Sequence, residues 1–192
     1  MEIKDALAEY NSILNGLMER LEYLAGSGVR HYAPSKANGC GTCVHDGTDR
    51  VDGRGSLSAV LVFVKGAPMG GDAAITRMIE AMKFRVEEVY ITHAVRCAGD
   101  EGVFEAVQSC KGLLEEEIKR IRPRAIAALG PAATEALLGS PDMERLRGRF
   151  HDYNGIKVMP THDPDQPEEK RHLKRETWAD MILVMKELGK TP

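Results

Sequence analysis

Four short apolar runs, separated by stretches of helix length, constrain this chain more than any other feature. They are Ala59–Val64 (AVLVFV), Glu88–Thr92 (EVYIT), Arg124–Leu129 (RAIAAL) and Gly155–Met159 (GIKVM), the last ended by Pro160. Runs this short, rich in β-branched residues and bounded by Gly, Pro or charge, read as strands. Between them the period changes to that of helices over Ala73–Met82, Phe104–Arg120 and Ala132–Leu138, the last with Pro131 near its start. A final helix is predicted over Leu173–Leu188, with Leu173, Trp178, Met181, Ile182, Val184, Met185 and Leu188 as its apolar face. Strands apolar throughout and alternating with helices imply an α/β fold, with a four-stranded parallel sheet covered on both faces. Ligands of such sheets bind beyond the carboxyl ends of the strands. Here those ends are the loops Lys65–Asp72, His93–Cys97, Gly130–Pro131 and Thr161–Pro164.

The 192 residues suit one domain with an arm. Leu7, Ile13, Leu14, Leu17, Leu21 and Leu24 recur at helical spacing, which predicts a helix over 2–25, ended by Gly26-Ser27-Gly28. The expected division is a helical arm over 1–28 and a domain over 29–192. No apolar run reaches membrane-spanning length, and the first residues carry acidic groups where a signal peptide needs a basic, then apolar, stretch. A cytoplasmic protein with no membrane partner is expected. The formal charge of −3 argues against non-specific polyanion binding as the main activity and leaves room for a local basic face. One basic run, Lys170-Arg171-His172-Leu173-Lys174-Arg175, precedes the final helix; such runs are ordinarily solvated faces.

The chain has four cysteines: Cys40, Cys43, Cys97 and Cys110. The first two form a C-x2-C pair flanked by glycines in an irregular loop, 29–56, rich in Gly, Asp, Ser and Thr. A loop of that length without its own elements is usually held by something. One close pair lets a single loop supply two soft ligands. A zinc ribbon would show a second close pair, whereas Cys97 and Cys110 lie far apart. Spacing alone leaves an iron–sulfur cluster, zinc and packing thiols open.

From Val89 to Leu188 the residues resemble the iron–sulfur uracil-DNA glycosylases, family 4 of the uracil-DNA glycosylase superfamily. The resemblance is carried by Val89-Tyr90-Ile91-Thr92 with Val95-Arg96-Cys97, then by Cys110 with Leu113, Leu114, Glu115 and Ile118. It continues through Arg122-Pro123-Arg124, Ala128-Leu129-Gly130 and Arg145-Leu146-Arg147-Gly148-Arg149, then Gly155-Ile156 and Pro160-Thr161. Leu173-Lys174-Arg175 and Trp178-Ala179-Asp180 complete it. The resemblance implies a three-layer α/β/α sandwich and a four-iron, four-sulfur cluster on Cys40, Cys43, Cys97 and Cys110. It also implies DNA as partner and hydrolytic DNA repair as activity.

The family's site residues are replaced. Its first motif, Gly-Glu-x-Pro-Gly, falls on Lys65-Gly66-Ala67-Pro68-Met69, so Gly66 stands where the acid is expected. The segment bearing the stacking phenylalanine is missing before the helix. His93 takes the place of the uracil-reading asparagine. In the second motif Asp163 takes the histidine's place, and His162 lies one step earlier. Pro167-Glu168-Glu169 replaces the leucines that wedge into DNA, and acidic groups there oppose phosphate contact. His93 and Asp163 both follow parallel strands and are the candidate catalytic pair, with His162 beside them; a carboxylate can orient a histidine for acid–base work. Lys65, Gly66, Pro68, Arg147, Arg149, Lys170 and Arg171 are the candidate substrate- and DNA-binding residues, together with Arg145. The expected function is excision of a damaged or deaminated base other than ordinary uracil. The alternative is a non-catalytic iron–sulfur module that binds nucleic acid or a protein, and a weaker third is a hydrolase of small nucleosides or nucleotides.

Overall fold

A computed structural model describes residues 53–67, 73–96, 103–165 and 171–191. The helical arm, most of the loop over 29–56, Cys40, Cys43, Pro68, Cys97 and Lys170 lie outside the described residues. Six strands form one sheet: β1 Arg54–Gly55, β2 Leu61–Lys65, β3 Val89–His93, β4 Ala125–Leu129, β5 His151–Tyr153 and β6 Ile156–Thr161. Their order is β1-β3-β2-β4-β6-β5. The helices are α1 Ala73–Ala81, α2 Val103–Ile121, α3 Gly130–Leu138, α4 Met143–Leu146 and α5 Arg171–Glu187.

The expected four parallel strands form the centre, β3-β2-β4-β6. Six strands, not four, is a correction, because β1 and β5 add antiparallel edges. Neither is long enough to show an apolar run. β1 pairs with β3 through Gly55, whose φ is +129°; a Cβ there would lie 2.5 Å from the Val89 carbonyl oxygen. Only glycine takes that backbone without strain. The fourth parallel strand also runs past Pro160 to Thr161, a second correction. Pro160 is tolerated because β5 pairs only with Ile156–Val158, so no ladder bond is asked of it on that side.

Strand alternation divides the core in two. Val62, Val64, Tyr90, Ile126, Ala128 and Val158 face α2 and α3, meeting Leu114, Ile118, Ala133 and Ala136. Leu61, Phe63, Ile91, Ala127 and Met159 face α1 and α5, meeting Ile75, Ile79, Met181 and Val184. The three layers expected are present. On α5 the buried stripe is Thr177, Asp180, Met181, Val184 and Met185, continued by Leu188 just past its end, while Trp178 is 37% exposed. Trp178 was expected on the apolar face. Two polar residues take that side of the helix instead, because each finds a buried partner, as described below.

Candidate functional site

The carboxyl ends of the parallel strands carry a row of side chains on the α1–α5 face. Lys65 and His93 are register partners at the ends of β2 and β3, and Leu129 and Thr161 at the ends of β4 and β6. Partners in a parallel ladder point the same way, so lysine and histidine stand side by side. Both are buried, Lys65 at 1% exposure. An ammonium that deep needs a counter-charge. Asp165 supplies it, with its Oδ2 3.2 Å from Lys65 Nζ. The pair crosses over β4, since β2 and β6 flank that strand.

Asp163 belongs to the same loop. Its Oδ1 accepts a hydrogen bond of 2.9 Å from the Asp165 backbone N–H, and a Cβ on Gly130 would lie 3.8 Å from its Cβ. The loop after β6 therefore folds back over the start of α3. Lys65 and His93 thus stand beside each other at the crevice beyond the strand ends, with Asp165 paired to Lys65 and Asp163 two residues away in the same loop. Asp165 was missed; its pairing with Lys65 joins residues a hundred positions apart and leaves no local signal. Gly66 makes a close junction with α3: a Cβ there would lie 3.2 Å from the Ala132 Cβ, and its carbonyl accepts from Val95 N–H at 2.8 Å. An acidic side chain at this position would have to push α3 aside.

His162 turns away from the crevice. Its Nε2 lies 3.0 Å from Glu176 Oε2, and Arg147 Nη1 lies 3.1 Å from the same oxygen. Arg147 Nη2 also reaches Asp180 Oδ2 at 3.3 Å, and the Thr161 hydroxyl donates to that oxygen at 2.7 Å. Thr177 Oγ1 donates to the Leu173 carbonyl at 2.9 Å and lies 3.3 Å from that of His162. His162 is thus grouped with Arg147 and α5, not with Asp163, and Arg147 is an internal strut. Arg145 and Arg149 are exposed, with Arg149 Nη2 donating to the Arg145 carbonyl at 3.1 Å. Arg171 opens α5.

Burial pushes the Asp180 carboxyl above its ordinary range, against the Thr161 hydroxyl and the charges of Arg147 and His162, which pull it down. Its neutral form is thus favoured on folding, a stability contribution present at low pH and lost as pH rises through the raised value. Removing Arg147 raises that value further. Arg147→Ala is expected to cost little near pH 3.5 and roughly 2–4 kcal/mol near pH 7. Urea unfolding at the two pH values checks this, and a cost equal at both contradicts it.

Cys110 is buried on the inner side of α2 at 1% exposure. Among the described residues no three His, Cys, Asp or Glu side chains gather as metal ligands. A cluster still fits what is described. Arg96, one residue before Cys97, pairs with Glu117 on α2, so the cysteine-bearing stretch leaves the sheet beside the helix that carries Cys110.

The parallel sheet between two helix layers, with ionisable side chains at its strand ends, places the chain in the open-sheet α/β class. Residues 56–182 match the profile of the Uracil DNA glycosylase superfamily, and the chain belongs to that superfamily. It is similar to a type-4 uracil-DNA glycosylase of Archaeoglobus fulgidus, 27% identical over 167 residues, which cover 74% of this chain and 84% of the relative. It is also similar to a type-5 uracil-DNA glycosylase of Pyrobaculum aerophilum, 36% identical over 81 residues, covering 40% of this chain and 36% of the relative. Among the described residues no helix is long and apolar enough to cross a membrane.

Proposed function

We propose that this chain hydrolyses the bond between a damaged or deaminated base and its deoxyribose in DNA, with a base preference other than uracil. The observation that supports the reading is the buried Lys65, held by Asp165 of the loop that carries Asp163 and standing in register with His93 at the strand ends. The reaction breaks the C1′–N bond and forms a C1′–O bond from water. The electron pair leaves with the base, and a proton leaves the water. Positive charge grows on the sugar and negative charge on the base. In this reading the Asp163 carboxylate faces the sugar, orients the water and takes its proton. The Lys65 ammonium, fixed by Asp165, opposes the charge on the leaving base. His93, in place of the uracil reader, hydrogen-bonds the base edge. That substitution is why a base other than uracil is expected.

A 4Fe–4S cluster on Cys40, Cys43, Cys97 and Cys110 would supply thiolate–iron bonds that staple a loop, a strand end and a helix. No step of the excision passes through it. The supporting observations are the buried Cys110 and the likeness to a type-4 enzyme. The test of function is mass spectrometry of free bases released from nitrous-acid-treated duplex DNA. A released base other than uracil is expected; no released base contradicts the reading.

One observation favours a second reading, a non-catalytic DNA-binding module: the Lys65–Asp165 pair already bridges the crevice. Both readings need a DNA face, and the exposed Arg145 and Arg149 are the described candidates. Neutralising both is expected to weaken binding evenly across sequences and to reduce the log–log salt slope by about 2. An unchanged slope in a fluorescence-anisotropy titration removes them from the interface.

A further inference from the structure

We infer that Glu117 is a positioning residue for the cysteine segments, the centre of a buried polar clamp joining the chain stretches that lead to Cys43, Cys97 and Cys110. The inference rests on the cluster reading above and goes beyond it, assigning a role to residues that hold no iron.

Glu117 lies on α2 at 7% exposure, among Leu114, Ile118 and the apolar residues of β3. A carboxylate there is costly unless its oxygens are engaged. Tyr90 Oη donates to Oε1 at 2.6 Å, and Thr92 Oγ1 donates to Oε2 at 2.6 Å. Arg96 Nη2 also donates to Oε2 and reaches Thr92 Oγ1 at 3.1 Å. Arg96 is 3% exposed, so this is a buried ion pair roofed by two hydroxyls. A well-packed apolar set could fill the same volume, so stability alone does not account for it. What this set of bonds to both Glu117 oxygens adds is one fixed arrangement of the segments it joins.

Those segments are the cysteine segments. Arg96 is the residue before Cys97. Glu117 follows Cys110 by seven residues, about two helical turns, so both project from one side of α2. Gly53, ten residues after Cys43, packs on the clamp itself. A Cβ there would lie 2.4 Å from Tyr90 Cε1, 2.6 Å from Tyr90 Oη and 2.7 Å from Glu117 Oε1, so any side chain at this position would have to displace the clamp. One carboxylate therefore joins the strand end to the helix, with the loop end packed against it. The clamp faces α2, whereas Lys65 and His93 face α1 and α5. It is separate from the crevice.

The test is the rate of iron release from anaerobically loaded full-length protein into a ferrous chelator, with the cluster's visible absorption followed in parallel. Glu117→Gln is expected to release iron roughly 10- to 100-fold faster than wild type. Tyr90→Phe, which removes one hydrogen bond and keeps the ion pair, stays folded and is expected to release it faster by a smaller factor. Met181→Ala loosens the core on the opposite side of the sheet and is expected to release at about the wild-type rate. Wild-type rates for both Glu117→Gln and Tyr90→Phe overturn the inference. So does a rate for Met181→Ala matching that of Glu117→Gln at the same loss of Tm. Wild-type protein that binds no iron or sulfide overturns the cluster reading itself, and the inference with it.

Discussion

Asp163→Asn is expected to slow single-turnover base release by roughly 10²–10⁴-fold while leaving the fold intact. The amide keeps an oxygen to accept from the Asp165 N–H, so the loop over Gly130 holds its shape. What is lost is the negative charge that the proposal places against the sugar, together with its acceptor for the water's proton. His93→Ala is expected to lower the rate by a similar order, because the ring stands beside Lys65 at the strand ends. The two variants report on different moments of the reaction. In the proposed mechanism Asp163 acts on the sugar side, so its loss should fall on the rate at saturating DNA. In the same proposal His93 acts on the base edge, so its loss should also flatten the preference among bases. Unchanged rates in both variants would falsify the role assignment, whatever base is tested.

Glu117→Ala is expected to be the most destabilising single change among those considered, by about 3–5 kcal/mol. The substitution leaves the Arg96 guanidinium in the core without its carboxylate and takes the acceptor from the Tyr90 and Thr92 hydroxyls. For a chain of this size the loss corresponds to a fall in Tm of roughly 6–20 °C. The size comes from the charge left behind, not from the worth of the pair. The combined change Glu117→Leu with Arg96→Met is therefore expected to recover most of the stability, since apolar groups can fill a buried ion-pair site. A loss under about 1 kcal/mol for Glu117→Ala alone would show that water or another group reaches Arg96. Such a result would also weaken the case for a rigid clamp.

The four central strands were legible because parallel strands covered on both faces are largely apolar: the runs at 61–64, 89–91 and 125–129 are apolar throughout, and 156–159 is broken only by the exposed Lys157. The edge strands were not, since two or three half-exposed residues carry no periodic signal. One signal was present and unread. Asn154-Gly155 adopts φ values of +53° and +82°, and Asp152 Oδ1 accepts from Gly155 N–H at 3.3 Å. An Asn-Gly pair between extended segments is the strongest short-range mark of a hairpin, and here it joins β5 to β6. Pro160 misled in the other direction, because a proline stops a strand only where a ladder bond is required of its nitrogen.

The site was legible where a residue's place in a strand fixes its direction. Lys65 and His93 end strands and share a face, so their standing side by side could be anticipated. Side chains in the loop after β6 could not be separated in this way. His162 and Asp163 are adjacent in sequence, yet one joins Glu176 and Arg147 and the other leans over Gly130. Arg147 looked like part of a basic surface, but Asp180 and Glu176 on α5 draw it inward. Partners such as Lys65 and Asp165, or Tyr90 and Glu117, are invisible until the fold brings them together. They share no spacing rule that a sequence could display.

The central claim is that the superfamily's crevice has been rewired for a base other than uracil. Single-turnover excision rates test it most directly, measured with iron-loaded protein on defined single- and double-stranded DNAs carrying uracil, hypoxanthine or xanthine. The expected result is release of hypoxanthine or xanthine faster than uracil, with the order flattened in His93→Ala. Uracil released fastest, or no base released by fully loaded protein, would contradict it.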